Sequence, residues 1–358
     1  MNIFNTRLNK VRENYSIDGL DGIYITNITN VRYITGFTGS AGSVLIMHDK
    51  AYFITDGRYT EQSQRQIKNC EILITQKTHI DCIYSNNLIP SNAKIGIEAN
   101  HISLNLFNVL SKQFNSVDWV QTKDIVEHIA AVKDMGEIES LKTAIEITDN
   151  VFDLIIPDLK AGAKEIEISA KISYLFKMNG AEGDSYEPIV ASGYLGALPH
   201  ARPSDKAFEI GDFVVMDFGA LYNGYHADMT RTILIGKPTQ KHTEIYNAVL
   251  ESQLAGISSA RAGVPACDVD SACRNVISGY GYGEKFIHST GHGIGLEVHT
   301  LPRISQLNKE PLLENYVVTI EPGIYLEGWG GVRIEDDCWI QKGSAIPLNR
   351  SSKELISL

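Results

Sequence analysis

Hydrophobic positions in the first third of the chain fall in short β-rich runs that alternate with amphipathic stretches. The runs GIYIT, SVLIM, YFIT and EILIT are rich in branched and aromatic residues, which predicts strands. The stretches YTEQSQRQI and SLNLFNVLSKQF repeat their apolar residues at helical spacing, which predicts helices. This alternation predicts a smaller α/β domain with a partly parallel sheet over residues 1–125.

The pattern changes after residue 125. In DMGEIESLKTAIEITDNVFDLIIP, apolar residues recur at helical spacing and Pro157 marks the end of the helix. The apolar face consists of Ile138, Leu141, Ile145, Phe152 and Ile155. A second helix, KEIEISAKISYLFKMNG, is expected to close at Gly180 in a left-handed cap.

Strand-rich segments follow these helices, and the same order then recurs. TEIYNAVLESQLAGISSARAG and ACDVDSACRNVISGYG predict two more helices, and further strand-rich segments extend to about residue 342. Two helices followed by strands, twice, predict a pseudo-symmetric α+β domain over residues 126–358, with an active site between its halves.

Composition and charge narrow the class of protein. The 358 residues are 43% hydrophobic and 21% charged, which is ordinary for a globular chain, and a net charge of -11 argues against nucleic acid and anionic membranes as partners. The polar start lacks the apolar region of a signal peptide. Five cysteines without CxxC spacing fit a reducing compartment, so we expect a cytoplasmic protein.

Asp217 and Asp228 are predicted to share one face of a β-hairpin. Between them, Asn223-Gly224 is a strong signal for a two-residue turn. Counting outward from this turn places Asp217 opposite Thr230, so that Asp228 is its diagonal neighbour, about 7–8 Å away. Two metal ions about 3.5–4 Å apart fit between such carboxylates. The alternative is one exposed aspartate and one hairpin aspartate with no shared function.

Glu321 and Glu335 are predicted to oppose each other in a second hairpin. The glycines of LEGWGG form a reversal, and a turn centred near Gly328 places the two glutamates face to face. Directly opposed like charges destabilise a sheet, so this pair indicates a bound cation. Arg333 lies on the same strand face as Glu335, where it can pair with a metal-bound carboxylate or with a substrate terminus. Surface acids and a surface arginine are the alternatives.

The candidate histidines differ in their surroundings. His292 lies within GHGIG, whose glycines exclude a helix and allow close backbone approach to a ligand. His288 is assigned either a structural role or one that supports the metal ligands, because its separation of four residues from His292 does not bring both rings to one metal outside a helix. His299 in LEVH and His200 in GALPH are candidates for contact with substrate, and a purely structural histidine is the alternative for each.

The carboxylates and the histidine together indicate a two-metal hydrolytic centre. Buried ionised carboxylates are unfavourable unless a cation or a close partner compensates them. Five oxygen and nitrogen ligands without a thiolate predict two divalent ions, with Mn favoured over Co, Zn or Fe. The predicted ligands are Asp217, Asp228, His292, Glu321 and Glu335.

Taken together, these segments resemble the peptidase family with the pita-bread fold, which contains Xaa-Pro dipeptidases, Xaa-Pro aminopeptidases and methionine aminopeptidases. The matching features are the two aspartates eleven residues apart, GHGIG, EPGIY and GVRIED. ASGYLGALPH, LEVH and Arg333 indicate the proline-specific branch. NITNVRYITGFTGSAGSVLI and YFITDGRYTEQ resemble the creatinase/prolidase N-terminal domain, so that the resemblance covers about residues 20–345.

The resemblance implies a mechanism and partners. A hydroxide between the two ions is the nucleophile, and Glu321 also moves its proton. His299 holds the scissile carbonyl, His200 steadies the tetrahedral intermediate or the proline end, and Arg333 is placed with the catalytic residues. The implied substrate is a small peptide with proline in second position, and the implied assembly is a homodimer.

Alternatives remain within and beyond this family. A single N-terminal domain favours an Xaa-Pro dipeptidase, with an Xaa-Pro aminopeptidase as the second choice. A metal-free creatinase-type amidinohydrolase and a catalytically silent binding module would both be expected to lack the ligand set. One departure concerns Thr300, which stands where relatives commonly have Glu after the histidine of LEVH.

Overall fold

The computed structural model describes residues 2–358. The chain divides into two compact units, the first ending at Ala130 and the second covering Ala131–Leu358. Within residues 2–358, no helix combines the length and the apolar character needed to cross a membrane.

The first unit combines a mixed sheet with short helices. Its strands are β1 (Gly22–Ile25), β2 (Ser43–Met47), β3 (Ala51–Asp56), β4 (Glu71–Thr75), β5 (Lys94–Glu98) and β6 (Asp118–Thr122), in the order β4-β3-β2-β1-β5-β6. Its helices are α1 (Ile3–Ile17), α2 (Ile28–Thr35), α3 (Thr60–Gln66), α4 (His79–Ser85), α5 (Leu104–Gln113) and α6 (Ile125–Ala131). The β3–β4, β1–β5 and β5–β6 pairs are parallel and the others antiparallel, which confirms the predicted partly parallel sheet.

The second unit consists of two successive halves, each with two long helices and a set of strands. The first half contains α7 (Met135–Ile155), α8 (Glu165–Met178), β7 (Gly183–Asp184), β8 (Ile189–Ser192), β9 (Phe213–Phe218), β10 (Ala220–Tyr222), β11 (Tyr225–His226) and β12 (Met229–Leu234). The second half contains α9 (Gln240–Ser259), α10 (Ala266–Gly279), β13 (Gly291–Gly293), β14 (Thr300–Ile304), β15 (Val317–Ile320), β16 (Gly323–Leu326), β17 (Gly330–Arg333), β18 (Asp336–Ile340) and β19 (Ala345–Pro347). The predicted order of elements is confirmed.

Local sequence explains where the first helices of this unit begin and end. Asp134 and Glu137 form a capping box at the start of α7, which satisfies the free N–H groups of its first turn. The predicted apolar face is buried: Ile138, Leu141, Ile145, Phe152 and Ile155 are each at most 1% exposed. Gly180 follows α8 with a φ of 91°, the left-handed conformation expected of a glycine cap.

Each half has its own hydrophobic core. In the first half, α7 and α8 pack on β8, β9 and β12 through residues such as Phe152, Phe176 and Phe218. In the second half, α9 and α10 pack on β15 and β18 through residues such as Val249 and Val318. These cores lie against two of the four sheets of the second unit, in the orders β12-β9-β8 and β14-β13-β15-β18-β19, and the candidate site lies at their strand ends.

Candidate metal centre

The first candidate hairpin has the predicted register. Tyr222 pairs with Tyr225 around the Asn223-Gly224 turn, and Asp217 pairs with Thr230 farther along. The turn residues have φ values of 49° and 72°, which is why asparagine and glycine suit them. Asp228 is therefore the diagonal neighbour of Asp217, as the sequence predicted.

A close backbone crossing holds these two strands together between the aspartates. Gly219 separates β9 from β10 along the chain, and a Cβ at this position would lie 1.7 Å from the carbonyl oxygen of Ala227, which lies between β11 and β12. Only glycine permits this approach, so the spacing of Asp217 and Asp228 depends on it.

The second candidate hairpin is interrupted at its acids but keeps its register. On one side β16 pairs with β17, with Gly323 opposite Arg333, and on the other side β15 pairs with β18, with Ile320 opposite Asp336. Both ladders follow the same count, which places Glu321 opposite Glu335. The turn residue Gly328 has a φ of 72°, in agreement with a reversal centred there.

Polar contacts join the two hairpins at Thr230. Its backbone carbonyl accepts from the Glu335 N–H at 3.1 Å, and its hydroxyl donates to Glu335 Oε2 at 2.7 Å. The same hydroxyl accepts from Arg333 Nε at 2.9 Å. Arg333 Nη2 then donates to Asp217 Oδ2 at 2.5 Å. This chain connects one acid of each hairpin, and it gives Arg333 the first of its two predicted partners, a carboxylate of the cluster.

The orientation of His292 follows from its backbone contacts. Its N–H donates to Thr319 Oγ1 at 3.1 Å, and its Nδ1 lies 3.1 Å from the carbonyl oxygen of Gly293. A carbonyl only accepts, so Nδ1 carries the hydrogen and Nε2 keeps its lone pair for a ligand. Nε2 lies 3.6 Å from Asp228 Oδ2 and 3.6 Å from Glu321 Oε1.

All five predicted ligands therefore meet in one cluster. Ligand atoms of Asp228, His292 and Glu335 lie within 4.8 Å of one another, and these three residues are buried. Glu321 joins through its approach to His292, and Asp217 joins through Tyr186, whose hydroxyl hydrogen-bonds to both aspartates. The donor atoms are carboxylate oxygens and one imidazole nitrogen, which suit divalent transition metals.

Burial and mutual repulsion dominate the electrostatics of this cluster. Burial, with Asp217 and Asp337 nearby, raises the pKa of Asp228 well above its usual range. Burial, with Asp228 and Asp217 nearby, raises the pKa of Glu335 in the same way. Burial, with Glu335 nearby, raises the pKa of Glu321. Burial lowers the pKa of His292 to about 4, so its ring is neutral at pH 7.

These shifts fit a divalent cation. Acids that repel one another in a buried site must hold protons or share a positive charge, and a cation between them supplies that charge. A neutral imidazole with a free Nε2 is the form that binds metal. The donor set and its electrostatics thus both suit a divalent metal.

Further predicted residues border the cluster. His299 and His200 are exposed, and the His299 ring centroid lies 4.4 Å from that of His292. Burial is the main cause that lowers the pKa of His299, and burial with the nearby Arg333 lowers that of His288 to about 4. Thr300 begins β14 and pairs with Gly293, so the departure at this position lies against the strand of His292.

The sequence did not reveal three polar residues of the site. Tyr186 precedes β8 in SYEPIV, and no ligand spacing marks it, although its hydroxyl contacts both Asp217 and Asp228. Tyr325 belongs to EPGIY, and its hydroxyl accepts from Arg333 and contacts His288 Nε2, each at 2.8 Å. Asp337 accepts from the Asp228 N–H at 3.0 Å. Only the quoted motif around Tyr325 offered a signal.

Two family models match the chain. Metallopeptidase family M24 matches residues 139–342, which include every residue of the cluster, and the creatinase/prolidase N-terminal domain matches residues 7–132. Both agree with the expected two-part organisation and with the predicted fold class.

Relatives match along nearly the whole chain. An Xaa-Pro dipeptidase from Pyrococcus horikoshii is 38% identical, over 99% of this chain and 100% of the relative. A solved Xaa-Pro dipeptidase from Bacillus anthracis is 40% identical, covers 99% of both chains and has a TM-score of 0.96. A solved X-Pro aminopeptidase from Thermotoga maritima is 41% identical, with 95% and 98% coverage and a TM-score of 0.88. The α+β fold with an α/β N-terminal domain is thereby confirmed.

Proposed function

Since this chain belongs to metallopeptidase family M24, we propose that it is a binuclear-metal-dependent Xaa-Pro dipeptidase. It would hydrolyse the bond between an N-terminal residue and proline. The observation that carries the proposal is the cluster of four carboxylates and one imidazole, in which one hairpin makes Asp217 and Asp228 diagonal neighbours and a second sets Glu321 opposite Glu335. The full-length Pyrococcus horikoshii relative, named Xaa-Pro dipeptidase, supports the choice of substrate.

The ligands of the proposed metals are the five clustered residues, Asp217, Asp228, His292, Glu321 and Glu335. We propose two divalent ions, with Mn as the first choice of metal. When bound, they would activate a water molecule and polarise the scissile carbonyl. Tyr186 and Arg333 orient the carboxylate of Asp217 through hydrogen bonds to its two oxygens. Thr230 orients Glu335 in the same way.

The remaining residues would bind substrate and move protons. Glu321 would accept the proton of the attacking water on a carboxylate oxygen and return it to the proline nitrogen as the C–N bond breaks. His299 would donate to the scissile carbonyl oxygen, and His200 would steady the tetrahedral intermediate. An Xaa-Pro amide has no N–H and a fixed φ, so a site that recognises it must do so through its carbonyl and ring.

A second candidate function is Xaa-Pro aminopeptidase activity on longer peptides. The specific observation in its favour is the Thermotoga maritima structure, described as an X-Pro aminopeptidase, at 41% identity and a TM-score of 0.88. The two activities cleave the same bond, and they differ in whether the substrate continues beyond the proline.

One assay separates these functions. An Xaa-Pro dipeptide and an Xaa-Pro-Yaa tripeptide are offered side by side to metal-stripped protein, with Mn, Co, Zn or Fe added back singly. We expect metal-dependent cleavage of the dipeptide, its loss in Asp217→Asn, and its retention in Asp118→Asn, which alters an exposed aspartate of the first unit. Rapid cleavage of the tripeptide alone would replace the dipeptidase with the aminopeptidase. Undiminished cleavage after metal removal would refute the metallopeptidase mechanism.

We also propose that the protein is a homodimer, as the family resemblance implies. Small-angle scattering of the purified protein is expected to give a mass of about twice 39.6 kDa. A mass equal to one chain would refute the dimer.

A further inference from the structure

A buried glutamate outside the metal cluster binds two distant points of the chain. Glu165 is the first residue of α8, and it is 0% exposed. Its Oε1 accepts from the N–H and hydroxyl of Ser192, at 2.7 and 2.8 Å. Its Oε2 accepts from the N–H and hydroxyl of Ser204, at 3.1 and 2.6 Å. One carboxylate thus closes the segment 192–204, which we call the His200 loop.

The direction of these hydrogen bonds is determined by Lys206. Its Nζ donates to the Ser192 hydroxyl at 3.1 Å, and its backbone N–H donates to the Ser204 hydroxyl at 3.2 Å. Each serine hydroxyl therefore accepts from Lys206 and gives its own hydrogen to Glu165. All four hydrogens around Glu165 point toward the carboxylate, so this position requires an acceptor at both oxygens.

Close backbone contacts hold the middle of the His200 loop against β17. A Cβ at Gly331 would lie 2.1 Å from the carbonyl oxygen of Gly196, so the loop passes directly over the strand that leads to Arg333. Arg333 Nη1 donates to the carbonyl oxygen of Pro199 at 3.3 Å. The residue after Pro199 is His200, which is itself exposed. The loop backbone, rather than packing of the imidazole, therefore sets where His200 lies.

We propose that Glu165 is a positioning residue that acts through His200. By closing both ends of the His200 loop, Glu165 restricts the backbone conformations of the loop and therefore the positions that the His200 imidazole can take while substrate is bound. The proposal rests on the proposed function, because it assigns His200 to the substrate. Glu165 does not touch the metal ligands, so its loss should slow turnover without weakening metal binding.

Glu165→Gln tests the proposal because glutamine keeps the shape but replaces one acceptor with an NH₂ group. Whichever way the amide is turned, its NH₂ group faces the N–H and the hydroxyl of one serine, Ser192 or Ser204. The two hydrogen bonds from that serine are lost, and donors are brought against donors. We expect kcat on the Xaa-Pro dipeptide to fall at least tenfold, with Mn²⁺ affinity within threefold of wild type. Glu167→Gln is the matched control: Glu167 is exposed on the same helix, and its turnover should stay within twofold of wild type.

A double-mutant cycle with His200→Ala separates positioning from general destabilisation. If Glu165 acts through His200, Glu165→Gln should lower kcat less than twofold in the His200→Ala background. Limited proteolysis of the metal-free protein gives an independent readout, because cleavage between residues 193 and 203 should accelerate in Glu165→Gln and not in Glu167→Gln. Ser204→Ala is the substitute variant if Glu165→Gln fails to fold, because it removes one hydroxyl donor and keeps the backbone hydrogen bond to Glu165. It should likewise lower kcat and accelerate cleavage of the loop.

Each contrary outcome has a distinct meaning. An unchanged kcat and unchanged loop cleavage in Glu165→Gln and Ser204→Ala would overturn the anchoring role. A full tenfold effect retained in the His200→Ala background, or no effect of His200→Ala itself, would overturn action through His200. A wild-type protein that cleaves no Xaa-Pro peptide would instead refute the proposed function, while the proteolysis result would still report on the anchor.

Discussion

Replacement of Gly219 by alanine puts a methyl group between the two strands that carry Asp217 and Asp228. The new Cβ would lie 1.7 Å from the Ala227 carbonyl oxygen and 2.5 Å from its carbon, whereas real Cβ contacts stay beyond 3.0 Å. Both neighbours are backbone atoms, so no side-chain rotation relieves the overlap. The strands must therefore separate by about an ångström or more at a point between the two aspartates.

The size of the effect follows from that displacement. Overpacking that forces a backbone shift lowers the free energy of unfolding by about 1–3 kcal/mol. Displacement of catalytic groups by about 1 Å can reduce turnover about 100-fold. Disturbing the residues that orient metal ligands reduces metal affinity about 10–100-fold. We expect Gly219→Ala to show all three changes.

Calorimetric titration of metal-stripped protein with Mn²⁺, denaturant unfolding and dipeptide hydrolysis measure these effects. Gly183→Ala is the control, because Gly183 lies in the neighbouring strand β7, where an added Cβ would have no heavy atom within 4 Å and the φ is not positive. The control should resemble wild type in all three assays. If Gly219→Ala bound Mn²⁺ and turned over like the control, the close strand crossing would not determine the spacing of the two aspartates.

Two further predictions concern charge. In the metal-free protein, burial and repulsion raise the pKa of Asp228 and Glu335 above the ordinary 3.8 and 4.5, so the folded state keeps protons that the unfolded chain releases. Its stability therefore falls as the pH rises above about 4.5, and the rise in unfolding temperature on adding Mn²⁺ should be larger at pH 8 than at pH 5; equal rises would contradict this. Arg231→Met removes one of the two cations that pair with the buried Asp336, while Lys353 Nζ stays 2.7 Å from it, and it leaves buried backbone carbonyls without their donor. The free energy of unfolding should therefore fall by about 1–3 kcal/mol in denaturant titrations, whereas Arg65→Ala, at an exposed pair, should match wild type. A wild-type unfolding curve for Arg231→Met would refute the importance of that pair.

The sequence predicts those parts of the structure in which a turn or a side-chain period fixes the positions of nearby residues. The Asn223-Gly224 turn sets the register of its hairpin, and the reversal at Gly328 sets that of the other, so the pairing of Asp217 with Thr230 and the opposition of Glu321 and Glu335 followed from the chain alone. The helices α7 and α8 were predictable for a similar reason, because their apolar spacing and cap residues act within a few turns.

Contacts between segments far apart in the chain could not be predicted from turn positions and side-chain period. Tyr186 reaches Asp228 across 42 residues, and Arg333 reaches Asp217 across 116 residues. Neither residue has a spacing that identifies its partner, so the hydrogen bonds that orient the carboxylates could not be assigned from the sequence.

The sequence by itself determined the elements and the two hairpin registers and predicted the set of metal ligands, because turn chemistry and side-chain period act over short distances. The tertiary structure decided how the two hairpins meet at Thr230, which tautomer His292 adopts, and how Glu165 closes the His200 loop. Those features depend on packing that brings distant segments together, and hydrogen-bond geometry is specified only once that packing is formed.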